Sequence, residues 1–397
     1  MSDEGTPGDE PGMERRDAIR LGGLGAAALA AGSASAMSSS APAAARRGRH
    51  GLRFHRDGTF KIVQFNDTQD DERIDRRTIE LMEKVLDAEE PDLVVHNGDL
   101  ITEGCTNALE MRQAMNNIAR PVEERGIPWV ITYGNHDEDS TPQTGMDEAD
   151  MLRFYRSYRH NLNERGPRGV TGTGNMNLLI RSAHGWRDAF NIFLLDSGRY
   201  APSEIDGQDF EGYPTWDWVR MNQVRWYTEV SEQVERRARR TVPALMFLHI
   251  PLWEHRFMWW GSVDGRTPAD HERAVKRHGL VGERNESECP GPFNSGMFSA
   301  ILDRGDVRGV FCGHDHINTY TGSYYGVMLG YAGNTGFGTY GLSGAERNRL
   351  RGARVFELTE ADDDVTFETR MVFAKDLGID LTANDQSIDP LPLPRQR

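Results

Sequence analysis

Five short motifs carry side chains that bind metals or move protons. They are Asn66-Asp67-Thr68-Gln69, Asn97-Gly98-Asp99, Gly134-Asn135-His136-Asp137, the single His249 of Leu248-His249-Ile250-Pro251, and Gly313-His314-Asp315-His316. Carboxylate, amide and imidazole groups together suit divalent ions of intermediate hardness. Two adjacent ions need one ligand that serves both, and a carboxylate on a tight glycine turn can approach closely enough to do so. Asp99, after Gly98, is the candidate bridge. Asp67 and His316 can serve one ion. Asn135, His249 and His314 can serve the other. His314 and His316 are two residues apart, so an extended backbone would send both to one side. Each motif alone is weak: a His-x-His pair is often a surface loop, a lone histidine after an apolar run is often core, and Asp67 alone suits a helix cap. Their order and placement in one chain give them weight.

Each motif follows a short apolar run. Residues 60–65, 92–96, 128–133, 190–195, 244–248 and 307–311 read as strands. Residues 78–89 carry Ile79, Met82, Val85 and Leu86 at helical spacing, and Pro91 stops that helix. Further helices are expected over 109–124 and 215–240, with Trp216, Trp218 and Trp226 of the latter as packing residues. Helices alternating with apolar strands imply a layered α/β fold with covered sheets. In such sheets ligands gather beyond the carboxyl ends of the strands, where the motifs lie. Residues 139–175 read as a polar insertion with a helix around 148–158. Strands at 354–358 and 365–369 flank an acidic turn, which is read as solvated and not as a calcium site. The aromatic segment 253–260 is either a wall over the substrate, with His255 or Arg256 on phosphate, or a hydrophobic plug.

The net charge of −15 over 397 residues argues against nucleic-acid partners and anionic membrane surfaces. It leaves room for a small phosphorylated substrate or a phosphoprotein, because bound metal can dominate the local field. Residues 1–50 read as an export signal and linker. Arg15-Arg16 precedes an uncharged run from Leu21 to Ala45, with the small-residue pattern Ala34-Ser35-Ala36 after it. The run is rich in Ala, Gly and Ser, too weakly apolar for a stable span in the mature protein. The arginine pair resembles a twin-arginine signal, which implies a secreted or cell-envelope protein. The catalytic domain is expected over 55–375 and a loose proline-containing tail over 380–397. Of three cysteines, Cys312 reads as core, while Cys105 and Cys289 could pair.

The motifs resemble those of the calcineurin-like metallophosphoesterase superfamily: Asp-x-His, Gly-Asp, Gly-Asn-His-Asp, a lone His, and Gly-His-x-His. The segments His249-Ile250-Pro251-Leu252, Pro292-Phe293-Asn294-Ser295-Gly296 and residues 331–341 make it similar to that superfamily's purple-acid-phosphatase-like branch. The resemblance implies a four-layer α/β/β/α sandwich with mixed sheets and two divalent metals at the sheet edge. Two positions depart from the pattern. Gln69 stands where the family has histidine, a harder donor that favours Mn over Fe or Zn; Asp70 or Asp71 could instead supply that ligand. Thr102 stands where purple acid phosphatases carry tyrosine, which implies a colourless protein.

The chemistry implied is hydrolysis of phosphomonoesters by attack of a metal-bound hydroxide, with His136 as general acid and Asp137 as its orienting carboxylate. The alternatives are a phosphodiesterase using the same site, and a non-catalytic metal- or phosphate-binding protein degenerate at Gln69.

Overall fold

The structure is a computed structural model that describes residues 51–213, 216–362 and 364–394; the export segment read in residues 1–50 lies outside the described residues. In chain order the elements that matter are β1 (Thr59–Phe65), α1 (Arg76–Glu89), β2 (Leu93–Asn97), α2 (Ala108–Glu124), β3 (Trp129–Thr132), α3 (Thr141–Thr144), α4 (Glu148–Tyr155), β4 (Met176–Arg181) and β5 (Asp188–Leu194). A small hairpin follows, β6 (Glu204–Ile205) and β7 (Gln208–Asp209). Then come α5 (Met221–Ala238), β8 (Ala244–Phe247), α6 (Trp253–Trp260), α7 (Pro268–His278), α8 (Met297–Arg304), β9 (Val307–Cys312), β10 (Thr321–Tyr324), β11 (Val327–Tyr331), β12 (Gly352–Ala361) and β13 (Asp364–Phe373).

The strands form two mixed sheets, ordered β13-β12-β1-β2-β3 and β10-β11-β9-β8-β5-β4. In the first, β1, β2 and β3 run parallel and β12 and β13 are antiparallel additions. In the second, β5, β8, β9 and β11 are parallel, with β4 and β10 antiparallel at the edges. The carboxyl ends of the parallel strands therefore carry every candidate ligand.

Side-chain alternation along these strands builds three cores between four layers. Val63 and Phe65 of β1 face α1 and α2, meeting Leu81, Val85, Met111 and Ile118. Their neighbour Ile62 faces the other way, joining Val95 and Val130 against Ile192, Leu245, Phe247 and Phe311 of the second sheet. Phe193, Met246 and Val310 point outward again, beneath Trp226 and Val230 of α5 and Met297 and Ile301 of α8. The result is the expected α/β/β/α sandwich. Strands buried on both faces are continuous apolar runs, which is why they were readable.

Three expectations need correction. The helix expected over 215–240 is Met221–Ala238. Residue 216 instead pairs with Tyr200 as an isolated bridge, and Arg220 forms an ion pair with Asp217 just before the helix begins. The tail is not loose through residue 394. Buried Arg77 donates to the carbonyls of Thr382 and Asn384, the Ile388 N–H donates to Ile74 O, and Leu381 and Ile388 pack on the first core. Finally, Cys105, Cys289 and Cys312 are all free thiols. The aromatic segment is helix α6 and acts as a plug: His255 is buried, its Nδ1 lies 3.2 Å from Leu252 O, and its ring packs on Tyr331. Among the described residues no helix is long and apolar enough to cross a membrane.

Candidate metal centre

The strand ends deliver two donor groups that share one residue. Asp99, His249 and His314 bring ligand atoms within 4.8 Å of one another, as do Asp67, Asp99 and His316. Asp99 belongs to both, as a bridge must. His249 Nε2 lies 3.1 Å from Asp99 Oδ2, and His316 Nε2 lies 3.2 Å from Asp67 Oδ1. All five side chains are buried.

The local backbone explains why these residue types sit at these turns. Asp67, Gln69, Asp99 and His314 all have positive φ, at 50°, 33°, 48° and 73°. Such conformations cost a non-glycine residue about 1–3 kcal/mol and persist only where surroundings over-determine them. Here the surroundings do. Asp67 N–H donates to Gly98 O, Gln69 N–H to Asp99 O, and His314 N–H to the Asp67 carboxylate. Gly98, at φ +84°, admits no Cβ, because that atom would fall 2.5 Å from His249 Nδ1. A Cβ on Gly134 would fall 2.3 Å from Asp99 Oδ1. His314 and His316 do converge on one centre, but through a left-handed turn and not by strand alternation.

The donor set fits a pair of divalent ions. Both polar atoms of the Asn135 amide are buried without a partner, as is His314 Nε2. Buried polar atoms without partners are rare unless a ligand satisfies them. His249 Nδ1 lies 3.0 Å from Asn97 O, which fixes the proton there and leaves Nε2 free to coordinate. The facing carboxylates draw positive charge into this centre. Burial opposes charge on His249, yet facing Asp99 and Asp67 outweigh it and raise the imidazole to about 10. Burial also opposes charge on Asp99, but His249 holds its carboxyl below the usual range. His314 goes the other way: burial, then the His249 charge, press it well below its ordinary value.

Gln69, read as a ligand, also braces a neighbouring donor. Its Oε1 accepts the Thr339 hydroxyl at 2.8 Å, and that hydroxyl oxygen lies 3.3 Å from His316 Nδ1. Since the Thr339 proton goes to Gln69, the oxygen can accept His316 Nδ1–H and leave Nε2 facing Asp67. Asp70 and Asp71 do not replace the missing ligand. Asp70 accepts the N–H groups of Asp71 and Asp75, and Asp71 accepts that of Arg73.

His136 sits at the rim, part-exposed, with its backbone N–H donating to Asp99 Oδ1 at 2.8 Å. Its orienting carboxylate is Asp139, whose Oδ2 lies 2.5 Å from His136 Nδ1. Burial opposes charge on His136, but Asp139 and Asp99 raise its proton affinity overall. Asp137 is not its partner. The buried Asp137 carboxylate accepts N–H groups from Asp99, Leu100, Ile101 and Gly134 at 2.7–3.3 Å. Burial and the nearby Asp99 charge raise it to about 7. It ties together the loops after β2 and β3. Sequence reasoning also missed Tyr340, which stacks on His316 at 4.0 Å, and misread Trp216, which lies edge-on to His314 at 4.5 Å.

A fold with two mixed sheets and a dinuclear donor set at their shared edge defines a metal-dependent phosphoesterase. Residues 60–318 match the model of the calcineurin-like phosphoesterases, and the chain belongs to that family. It hydrolyses phosphoric ester bonds, and its family depends on two divalent metals. Its relatives include an Arabidopsis thaliana protein named probable inactive purple acid phosphatase 14, 32% identical over 332 residues that cover 76% of each chain. The phosphatase DCR2 of Saccharomyces cerevisiae is 28% identical over 66% of this chain and 45% of its own. Among solved structures, a dimetal phosphatase from Danio rerio aligns over 79% of this chain and 99% of its own, with 12% identity and a TM-score of 0.46.

Proposed function

We propose that the protein is an exported phosphomonoesterase. The observation that carries this reading is the sharing of Asp99 between two donor groups with His136 at their rim. Two divalent ions, when bound there, would supply the positive charge that holds a phosphate dianion and yields a nucleophile at neutral pH. Asp67, Gln69 and His316 on one side, Asn135, His249 and His314 on the other, and Asp99 shared between them are the residues that would hold them. His136 donates a proton to the departing ester oxygen, and Asp139 keeps its ring aimed. Trp216 beside His314 and Tyr340 beside His316 flank the centre on two sides. Export rests on Arg15-Arg16 and the uncharged run after it.

The test compares mono- and bis-nitrophenyl phosphate with added Mn, before and after chelation. Turnover of the monoester, abolished by chelation, is expected. Preferential turnover of the diester would replace this reading with a diesterase. Stoichiometric metal without turnover of either would leave a binding protein. On an alkyl phosphate, whose leaving oxygen needs a proton, His136→Ala should lower turnover by about 10²–10⁴-fold with metal content intact.

A further inference from the structure

We propose that Arg199 is the positioning residue that aims the general acid. It follows β5, far in sequence from the Gly134-Asn135-His136-Asp137 loop, and grips that loop at three points. Nη2 donates to Asp139 Oδ1 at 2.8 Å, Nη1 to Glu138 Oε2 at 3.2 Å, and Nε to Asn135 O at 3.0 Å. Asp139 thus has one oxygen on Arg199 and the other on His136 Nδ1. A planar guanidinium holds several acceptors at fixed angles, which a flexible lysine ammonium does not.

Arg199 is itself delivered by a constrained turn. Gly198 has φ +82°, and a Cβ there would fall 2.2 Å from Asp217 Oδ2. Gly198 N–H donates to Asp196 Oδ1, and Asp217 N–H donates to Arg199 O. The next residue, Tyr200, places its hydroxyl 3.4 Å from His136 Nδ1 and stacks towards Trp216. The segment between β5 and α5 therefore presents Arg199 and Tyr200 to His136 and Trp216 to His314. An acid that must meet a leaving oxygen within hydrogen-bond reach loses rate when its ring is free to rotate. Arg199 removes that freedom through Asp139.

This inference rests on the phosphomonoesterase reading, and leaving-group dependence tests it. Poor leaving groups need the proton; nitrophenolate barely does. In Arg199→Ala, kcat on an alkyl phosphate should fall about 10–100-fold, while kcat on nitrophenyl phosphate falls several-fold at most. KM and metal content should hold. Guanidinium added to Arg199→Ala should restore part of the lost rate, because the side chain is 27% exposed. An equal fall on both esters, or loss of metal, would make Arg199 a structural clamp and overturn the proposal. A second measurement needs no turnover. The His136 Nδ1–H proton, assigned by its absence in His136→Gln, should shift or broaden in Arg199→Ala. An unchanged resonance would refute the proposal even if the protein cleaved neither ester, an outcome that would separately refute the phosphomonoesterase reading.

Discussion

Replacing Asp137 by asparagine should loosen the metal site without touching the proton donor. The carboxylate accepts four backbone N–H groups from two loops: Leu100 at 2.8 Å, Ile101 at 3.3 Å, Asp99 at 3.1 Å and Gly134 at 2.7 Å. Oδ1 serves the first pair and Oδ2 the second. An amide keeps the shape but offers only one accepting oxygen. Whichever way it turns, its NH₂ faces two buried donors. Each buried donor left unpaired costs about 1–3 kcal/mol, so the loss is about 2–6 kcal/mol. Removing a charge that Asp99 repels offsets part of that, which favours the lower half of the range. Against a total stability of about 5–15 kcal/mol, this is a large effect. Urea unfolding of the metal-free protein, followed by tryptophan fluorescence, reads it directly. Metal stoichiometry reads the consequence, because these N–H groups hold Asp99 and the turn before Asn135. Asp139→Asn is the control. Its side chain is part-exposed and bears on His136, so it should lower turnover with metal retained and stability nearly unchanged. The reasoning fails if Asp137→Asn unfolds within about 0.5 kcal/mol of wild type and keeps its metal.

Three further outcomes are expected. His96 is fully buried between Phe65 and Trp129 with both ring nitrogens unpartnered, and burial pushes it down to about 3. The unfolded chain, with a histidine near 6.5, binds the extra proton first, so stability falls as pH drops below that value. Between pH 7 and 5 the His96 contribution is about 2 kcal/mol; His96→Phe should flatten the stability curve by that amount, and parallel curves would contradict it. Gln69→His should tighten the binding of one metal of two in a competitive chelator titration, with the other unaffected, and the protein loaded with Fe(III) should show no visible charge-transfer band, since Thr102 supplies no phenolate. Arg15→Lys together with Arg16→Lys should hold the enzyme in the cytoplasm of its source cells; continued export would refute the twin-arginine assignment.

The candidate donors were legible because each needs only a residue type and a local turn, and both are written in adjacent residues. Gly98-Asp99 and Gly313-His314 encode a chain reversal and a donor together. The four-layer fold was legible for a related reason: strands buried on both faces show as apolar runs whatever they pack against. The tail over 380–394 misled because its proline and acidic content is that of a free segment. What fixes it is Arg77, a buried cation paired with Asp75 whose remaining N–H groups donate to the carbonyls of Thr382 and Asn384. Trp216 misled in the same way, since a helical spacing near Trp226 says nothing of the bridge to Tyr200 that pulls it onto His314.

The residues that support the ligands were illegible for a deeper reason. Asp137 adjoins His136 in sequence, and adjacency suggested a pair. In a tight turn neighbouring side chains diverge, while residues three apart converge, as Asp139 N–H donating to His136 O shows. Asp139 was therefore the better candidate on geometry alone. Arg199 had no such local clue beyond Gly198, because its partners lie about sixty residues away and were brought to it by the pairing of β5 beside β8 in the opposite sheet. A dinuclear centre of this kind is thus specified on two scales. The donors are set by turns that a few residues determine, and their aim is set by cations and carboxylates that only the packed sandwich brings together. Within that second set Asp137 bears on the metal site, whereas Asp139 and Arg199 bear on His136, so substitutions at those two should leave metal bound and change reactivity alone.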